Sequence, residues 1–188
     1  MGVLSPDRRR VTAPEAVDQE VAAATFELHL TRFFRTGRGS REGWQRIDLD
    51  PLHSVIRIPA TRPDGSQDHY FVQLGAEYYD VWPPTASFVR PEGEHGWGYP
   101  TSSSRWWPKQ QNSPGFSFGL HHDYGFPGGS TGQLLCFSHT FEYYISNHNP
   151  TDAERWRQGT HTVSATLTRI AAVLTAPNYQ GPSGDLDS

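Results

Sequence analysis

Apolar positions recur three or four residues apart near the start of the chain, at Val17, Val21, Ala24 and Leu28, the repeat of one helix face. Thr12 and Glu15 stand at capping-box spacing and Pro14 suits a first turn, so the pattern predicts a helix over 13–34. The Gly/Arg/Ser-rich run 35–43 reads as a loop. Trp44 to Leu49, His53 to Ala60 and His69 to Leu74 then read as strands. The last two are joined by Arg62-Pro63-Asp64-Gly65, where Pro sets one turn dihedral and Gly accepts a positive one, so 44–74 is an antiparallel meander. A fourth strand is expected from Thr85 to Val89. It follows Asp80-Val81-Trp82-Pro83-Pro84, whose two prolines forbid a central strand or a helix.

The period is then lost. Residues 91–132 are rich in Gly, Pro, Ser and Trp, and a loop of that length inside one domain tends to be functional. Trp97, Tyr99, Trp106, Trp107, Phe116 and Phe118 favour packing over disorder, which predicts an ordered flap. Asn149-Pro150-Thr151-Asp152 resembles a capped helix start leading to Trp156, and Val163, Leu167, Ile170 and Leu174 share the face of a last helix that Pro177 follows. The order is an N-terminal helix, a four-stranded antiparallel meander, an irregular flap and C-terminal helices, an α+β pattern. One domain over 13–180 is expected, with 91–132 as its insertion, between a flexible N-terminus at 1–12 and a flexible tail at 181–188.

A chain of 188 residues suits a single domain, which at that size buries roughly 70% of its unfolded surface. No stretch approaches the ~20 apolar residues of a membrane span, and the arginines near the start have no apolar core behind them. A soluble, cytoplasmic protein without a membrane partner is expected. The net charge is −4, yet residues 1–46 carry eight arginines against six acids. That end suits an acidic partner, while the absence of a dense basic patch argues against nucleic acid. Lys109 is the only lysine, which leaves few amines able to attack a reactive acyl group on the same chain.

The chemistry centres on the only cysteine, Cys136, which closes Gly132-Gln133-Leu134-Leu135-Cys136. A lone thiol makes no internal disulfide, so Cys136 is either a small buried hydrophobe among Leu134, Leu135 and Phe137 or a nucleophile. His121, His122 and His139 lie close in sequence and are the candidates for a base or donor beside it, His121 and His122 first. Asn147 and Asn149 are further donors, and Asp123 and Tyr124 can orient the histidine pair. A zinc site is the competing reading, from His121, His122, Asp123, Cys136 and His139 with His95 and His148. Against it, adjacent histidines on a strand face opposite ways, and no His-x-x-x-His or Cys-x-x-Cys spacing occurs.

Tyr79-Asp80-Val81-Trp82-Pro83-Pro84-Thr85-Ala86-Ser87-Phe88 resembles the Tyr-Pro-x-x-Pro-Pro-x-x-x-Phe segment of the ubiquitin-conjugating enzyme (E2) superfamily, with Asp80 in place of the first Pro. Gly132 to Cys136 is similar to the family's Gly-x-Ile-Cys stretch with one extra residue. Trp156, the helix from Thr162 and Ala176-Pro177-Asn178 are similar to its Trp, crossover helix and Pro-Asn ending. The resemblance covers roughly 13–180 and is nearest to divergent bacterial E2-like proteins. It implies the E2 (UBC) fold, with Cys136 accepting a ubiquitin-like modifier from an E1-like enzyme as a thioester and passing it to a protein target. No cofactor is implied, since the E1 consumes the ATP. The family's His-Pro-Asn has no counterpart: Phe126-Pro127-Gly128 lies near its place, so a donor such as His121 or His122 has to replace it. A non-catalytic E2-variant scaffold is the rival reading.

Overall fold

A computed structural model of the chain describes residues 17–36, 38–94, 96–112, 118–185 and 187. The 12–15 capping box, the 1–12 segment, His95 and Phe116 lie outside them. Helix α1 (Gln19–Thr36) starts at Asp18, whose carboxylate accepts the backbone N–H groups of Glu20 and Val21 at 2.9 and 3.1 Å. These are donors that a helix start otherwise leaves without partners. Val17 and Asp18 are not helical, so α1 begins later than the predicted position 13.

The buried face of α1 also differs from the expected one. Phe26 and Leu30 are at most 1% exposed, whereas Val21 and Leu28 are 60% and 54% exposed. Both stripes keep helical spacing, but Ala22, Phe26, Leu30 and Phe33 carry two aromatic rings, each burying about 150–250 Å². The stripe with more area to hide takes the core. A single turn, α2 (Arg38–Arg41), interrupts the predicted 35–43 loop.

Strands β1 (Gln45–Asp50), β2 (His53–Thr61), β3 (Gln67–Gly75) and β4 (Thr85–Glu92) form an antiparallel meander, and β5 (Gly96–Gly98) adds a fifth strand outside β4. In the turn before β3, Gly65 has φ of +86° and its N–H donates to the Arg62 carbonyl. Strand alternation places Ile56, Ile58, Tyr70, Val72, Leu74 and Phe88 on one face. There they share one buried cluster with Phe26 and Leu30 of α1 and with Leu167 and Ile170 of α4 (Val163–Val173). The chain is therefore α+β, a curled five-stranded antiparallel sheet under few helices. Among the described residues no helix is long and apolar enough to cross a membrane.

Tyr79, between β3 and β4, ties these layers together. Its buried hydroxyl accepts the backbone N–H of Val163 at 2.9 Å, a helix-start donor of α4, and lies 2.7 Å from Nδ1 of His29 in α1. The next residue, Asp80, accepts the Trp156 indole N–H through its carbonyl at 2.8 Å. Thus Tyr79 and Asp80 join α1, α4 and the Trp156 loop to the end of β3.

The stretch 91–132 is not an irregular flap. It holds β5, β6 (Pro108–Gln110), β7 (Gly119–Gly125) and the start of β8 (Thr131–Cys136), with β7 and β8 forming a two-stranded antiparallel hairpin. The hairpin docks on the sheet through Gln133, whose Oε1 accepts the Phe88 N–H at 2.7 Å and whose Nε2 donates to the Phe88 carbonyl at 2.9 Å. Nor does the expected flexible tail begin at 181. Gly181 and Pro182 belong to β9 (Tyr179–Pro182), which pairs with β6. It is anchored by the Tyr179 hydroxyl donating to Asp68 at 2.7 Å, a carboxylate also held by Arg62. A short helix, α3 (Phe141–Ile145), follows β8, whereas the residues after the expected helix start at 149–152 form turns.

Replacing Tyr79 by Phe removes the acceptor of the Val163 N–H without opening a large cavity. A loss of about 1–3 kcal/mol is expected in urea unfolding, the cost of one buried donor left without a partner. An unchanged midpoint would remove Tyr79 from this role.

Candidate active site

Cys136 ends β8 and is half-buried. Its Sγ lies 3.2 Å from Nε2 of His148, and Nδ1 of the same ring lies 2.8 Å from the Ser146 hydroxyl. That hydroxyl donates to the Tyr143 carbonyl at 2.7 Å, so its oxygen is free to accept the His148 Nδ1–H. The proton is thereby assigned to Nδ1 and the lone pair to Nε2. Nε2 faces the sulfur as an acceptor. The result is a nucleophile, a base and a group that orients the base, in one line.

Helix α3 builds this line. The Thr140 hydroxyl donates to the Leu135 carbonyl at 2.9 Å and turns the chain out of β8. The Phe141 N–H donates to the Pro84 carbonyl at 3.0 Å, and Phe141 stacks on Tyr78 at 4.6 Å, which seats α3 beside the double proline. The Glu142 carboxylate oxygens lie 3.2 and 3.3 Å from the Ala86 N–H. Burial, reinforced by Glu77, pushes the Glu142 carboxyl up to about 8, while the Ala86 N–H favours its charged form. At the far end of α3, Tyr143 stacks on the His148 ring at 5.0 Å and Ser146 holds its Nδ1.

Burial sets the charge state of the pair. It pushes the Cys136 thiol above its ordinary 9.0, and it lowers His148 below 6.5, with the nearby charge of His121 acting in the same direction. Near neutral pH the pair therefore rests as thiol and neutral imidazole, without an ion pair. Such an imidazole takes the proton only as sulfur attacks.

The opposite strand brings a second histidine beside Cys136. Gly119 of β7 is the cross-strand partner of Cys136. A Cβ at Gly119 would sit 2.7 Å from Nε2 of His121 and 3.3 Å from the Cys136 Cβ, so the missing side chain makes room for the His121 ring next to the cysteine. Between His121 opposite Leu134 and Tyr124 opposite Gly132 the register shifts. Two residues of β7 face one of β8, which is a bulge. Three apart on a regular strand, His121 and Tyr124 would face opposite sides; here their rings meet at 5.6 Å, and Tyr124 also lies 6.0 Å from the His148 ring.

Of the histidines expected near Cys136, the structure brings one to its side. His121 is exposed beside Gly119. His122 points the other way, donating from Nε2 to the Pro100 carbonyl at 2.7 Å with its ring edge on Trp107. Burial opposes its charge, but the Pro100 carbonyl and Asp123 outweigh it and raise the His122 pKa. His139 packs among Phe137, Trp156 and His161, and burial, with the His161 and Arg169 charges, pushes it down to about 4. Asn147 and Asn149 are exposed. Among the described residues no three His, Cys, Asp or Glu side chains gather as a metal site.

The sequence marks His148 only as a possible zinc ligand and does not mark Ser146; their one signal is Ser146-x-His148 just after the aromatic-rich stretch Phe141 to Ile145, too short for a helical period to show. Comparison with protein-family models, curated proteins and solved structures finds no match.

Alkylation of Cys136 by iodoacetamide is expected to be slow at neutral pH and to rise only above the ordinary thiol pKa, because only the thiolate reacts and burial disfavours it. A rate plateau extending to acid pH would instead reveal a thiolate–imidazolium pair. Gly119→Ala should slow the same alkylation several-fold without unfolding the hairpin, since Gly119 has an ordinary strand backbone. An unchanged rate would show that access to the thiol lies elsewhere.

Proposed function

We propose that this chain is an E2-like conjugating enzyme, in which Cys136 accepts the C-terminal acyl group of a ubiquitin-like modifier as a thioester and passes it to a target. The observation that carries this reading is the 3.2 Å approach of the half-buried Cys136 thiol to the Nε2 of a histidine oriented by Ser146. A scaffold that only uses the fold has no need of that line. The element order supports the family side of the reading: a helix, an antiparallel meander, a cysteine beyond the fourth strand, then a helix. So do the neighbours of the residues that resemble E2 motifs. Tyr79 holds the last helix, Trp156 bonds to Asp80, and the Pro83-Pro84 pair seats the helix that leads to His148.

Transthioesterification needs little more than this. His148 takes the thiol proton as sulfur attacks the incoming thioester and returns it to the departing thiol, so the base is unchanged at the end of the step. General-base assistance of this kind contributes about 10²–10⁴-fold. The base compensates for a thiol that burial keeps protonated.

Incubation with the E1-like enzyme, the modifier and ATP, followed by non-reducing electrophoresis, tests the proposal. A thiol-sensitive adduct is expected, absent in Cys136→Ala and formed about 10²-fold more slowly in His148→Ala. Its rate should fall as pH drops through the His148 pKa, below 6.5, because protonation removes the lone pair that faces sulfur. No adduct from an active E1 would favour the scaffold.

A further inference from the structure

Once Cys136 is acylated its sulfur carries no proton, and His148 keeps Nδ1 on Ser146 with Nε2 facing that sulfur, the atom that leaves in the next step. A base that serves the acceptor from the solvent side is a different group. Because Gly119 has no side chain, the His121 ring lies over it beside the cysteine: a Cβ there would fall 2.7 Å from the His121 Nε2 and 3.3 Å from the Cys136 Cβ. Among the described residues nothing else titratable borders that point at that distance. His121 is exposed, and the bulge that follows it sets its ring against Tyr124, which also approaches His148. A group entering from solvent over Gly119 therefore passes His121 before it reaches a carbonyl carbon bonded to Cys136.

We propose that two histidines divide the reaction, His148 serving the thiol while it is loaded and His121 taking the proton of the acceptor amine while it is discharged. This rests on the reading of Cys136 as a thioester nucleophile. In discharge the amine nitrogen bonds to the acyl carbon and the carbon–sulfur bond breaks. The amine proton passes to Nε2 of His121 and on to solvent, and the departing sulfur takes up one proton, so the count closes without a further reactant. His121 is in this sense a catalytic residue, since it touches the acceptor. The electrostatic influence of His121 on His148, which acts with burial to lower the His148 pKa, fits the division.

The test separates the two steps with small probes. Cys136 is loaded from the mercaptoethanesulfonate thioester of N-acetylglycine, the donor is removed, and release of the acyl group to butylamine is followed across pH. His121→Gln is expected to slow discharge by about 10²-fold, with a far smaller effect on loading, and added imidazole should restore much of the rate. His148→Ala should show the reverse, slow loading with discharge little changed. Cysteine alkylation in His121→Gln reports that the hairpin is intact, because His121 is a surface residue. Normal loading with an unchanged discharge rate in His121→Gln would overturn the division while leaving Cys136 as the nucleophile. Failure of the unaltered chain to load would overturn both.

Discussion

A side-chain amide does the work of a neighbouring strand in this fold. Strand β5 pairs only with Arg90 to Glu92, so at Phe88 the edge of β4 has no strand partner, and Gln133 supplies both hydrogen bonds from Oε1 and Nε2. The pair is buried, and losing it leaves a donor and an acceptor unsatisfied at about 1–3 kcal/mol each. Everything about the thiol descends from this contact. It fixes β8 against the sheet, which puts Leu134 and Leu135 inside and Cys136 at the border. Thr140 then turns the chain into α3, which returns Ser146 and His148 to the sulfur.

The same burial that positions the site also sets its chemistry. A thiol at the border of the core loses hydration and holds its proton, and an imidazole beside it loses the charged form. Neither is activated alone. In the proposed chemistry the sulfur reacts near neutral pH as a carbonyl carbon offers it a bond and the proton crosses to Nε2 in the same event. A cysteine of this kind is protected from casual alkylation and oxidation, both of which need the thiolate.

The central sheet was legible because β2 alternates over 56–61 and β3 over 69–74, long enough for the period to stand out, and because Pro63 and Gly65 mark their turn. The last helix was legible from Val163, Leu167 and Ile170. The face of α1 was misread because two stripes share one helical period, and the four smaller residues were chosen over Phe26 and Phe33. Strands β6 and β7 were hidden by Gly, Pro and Trp, whose pairing is decided by partners far along the chain at β9 and β8. Within the site, Cys136 and His121 were visible, but His148 was not. Its role depends on a five-residue helix seated by Pro84 and Ala86, contacts that no local pattern announces.

The bulge in β7 makes chain length part of the geometry around Cys136. With one residue fewer between His121 and Tyr124 the ladder would run regularly and the two, then two apart, would still share a face, but the local bend and added twist of the bulge would be lost. The turn itself, with positive φ at Gly128 and Gly129 and nothing beside them, stands outside that constraint and can be lengthened. Among descendants of this sequence, then, evolution has freedom of spelling at the hairpin tip but a fixed metre along its first strand.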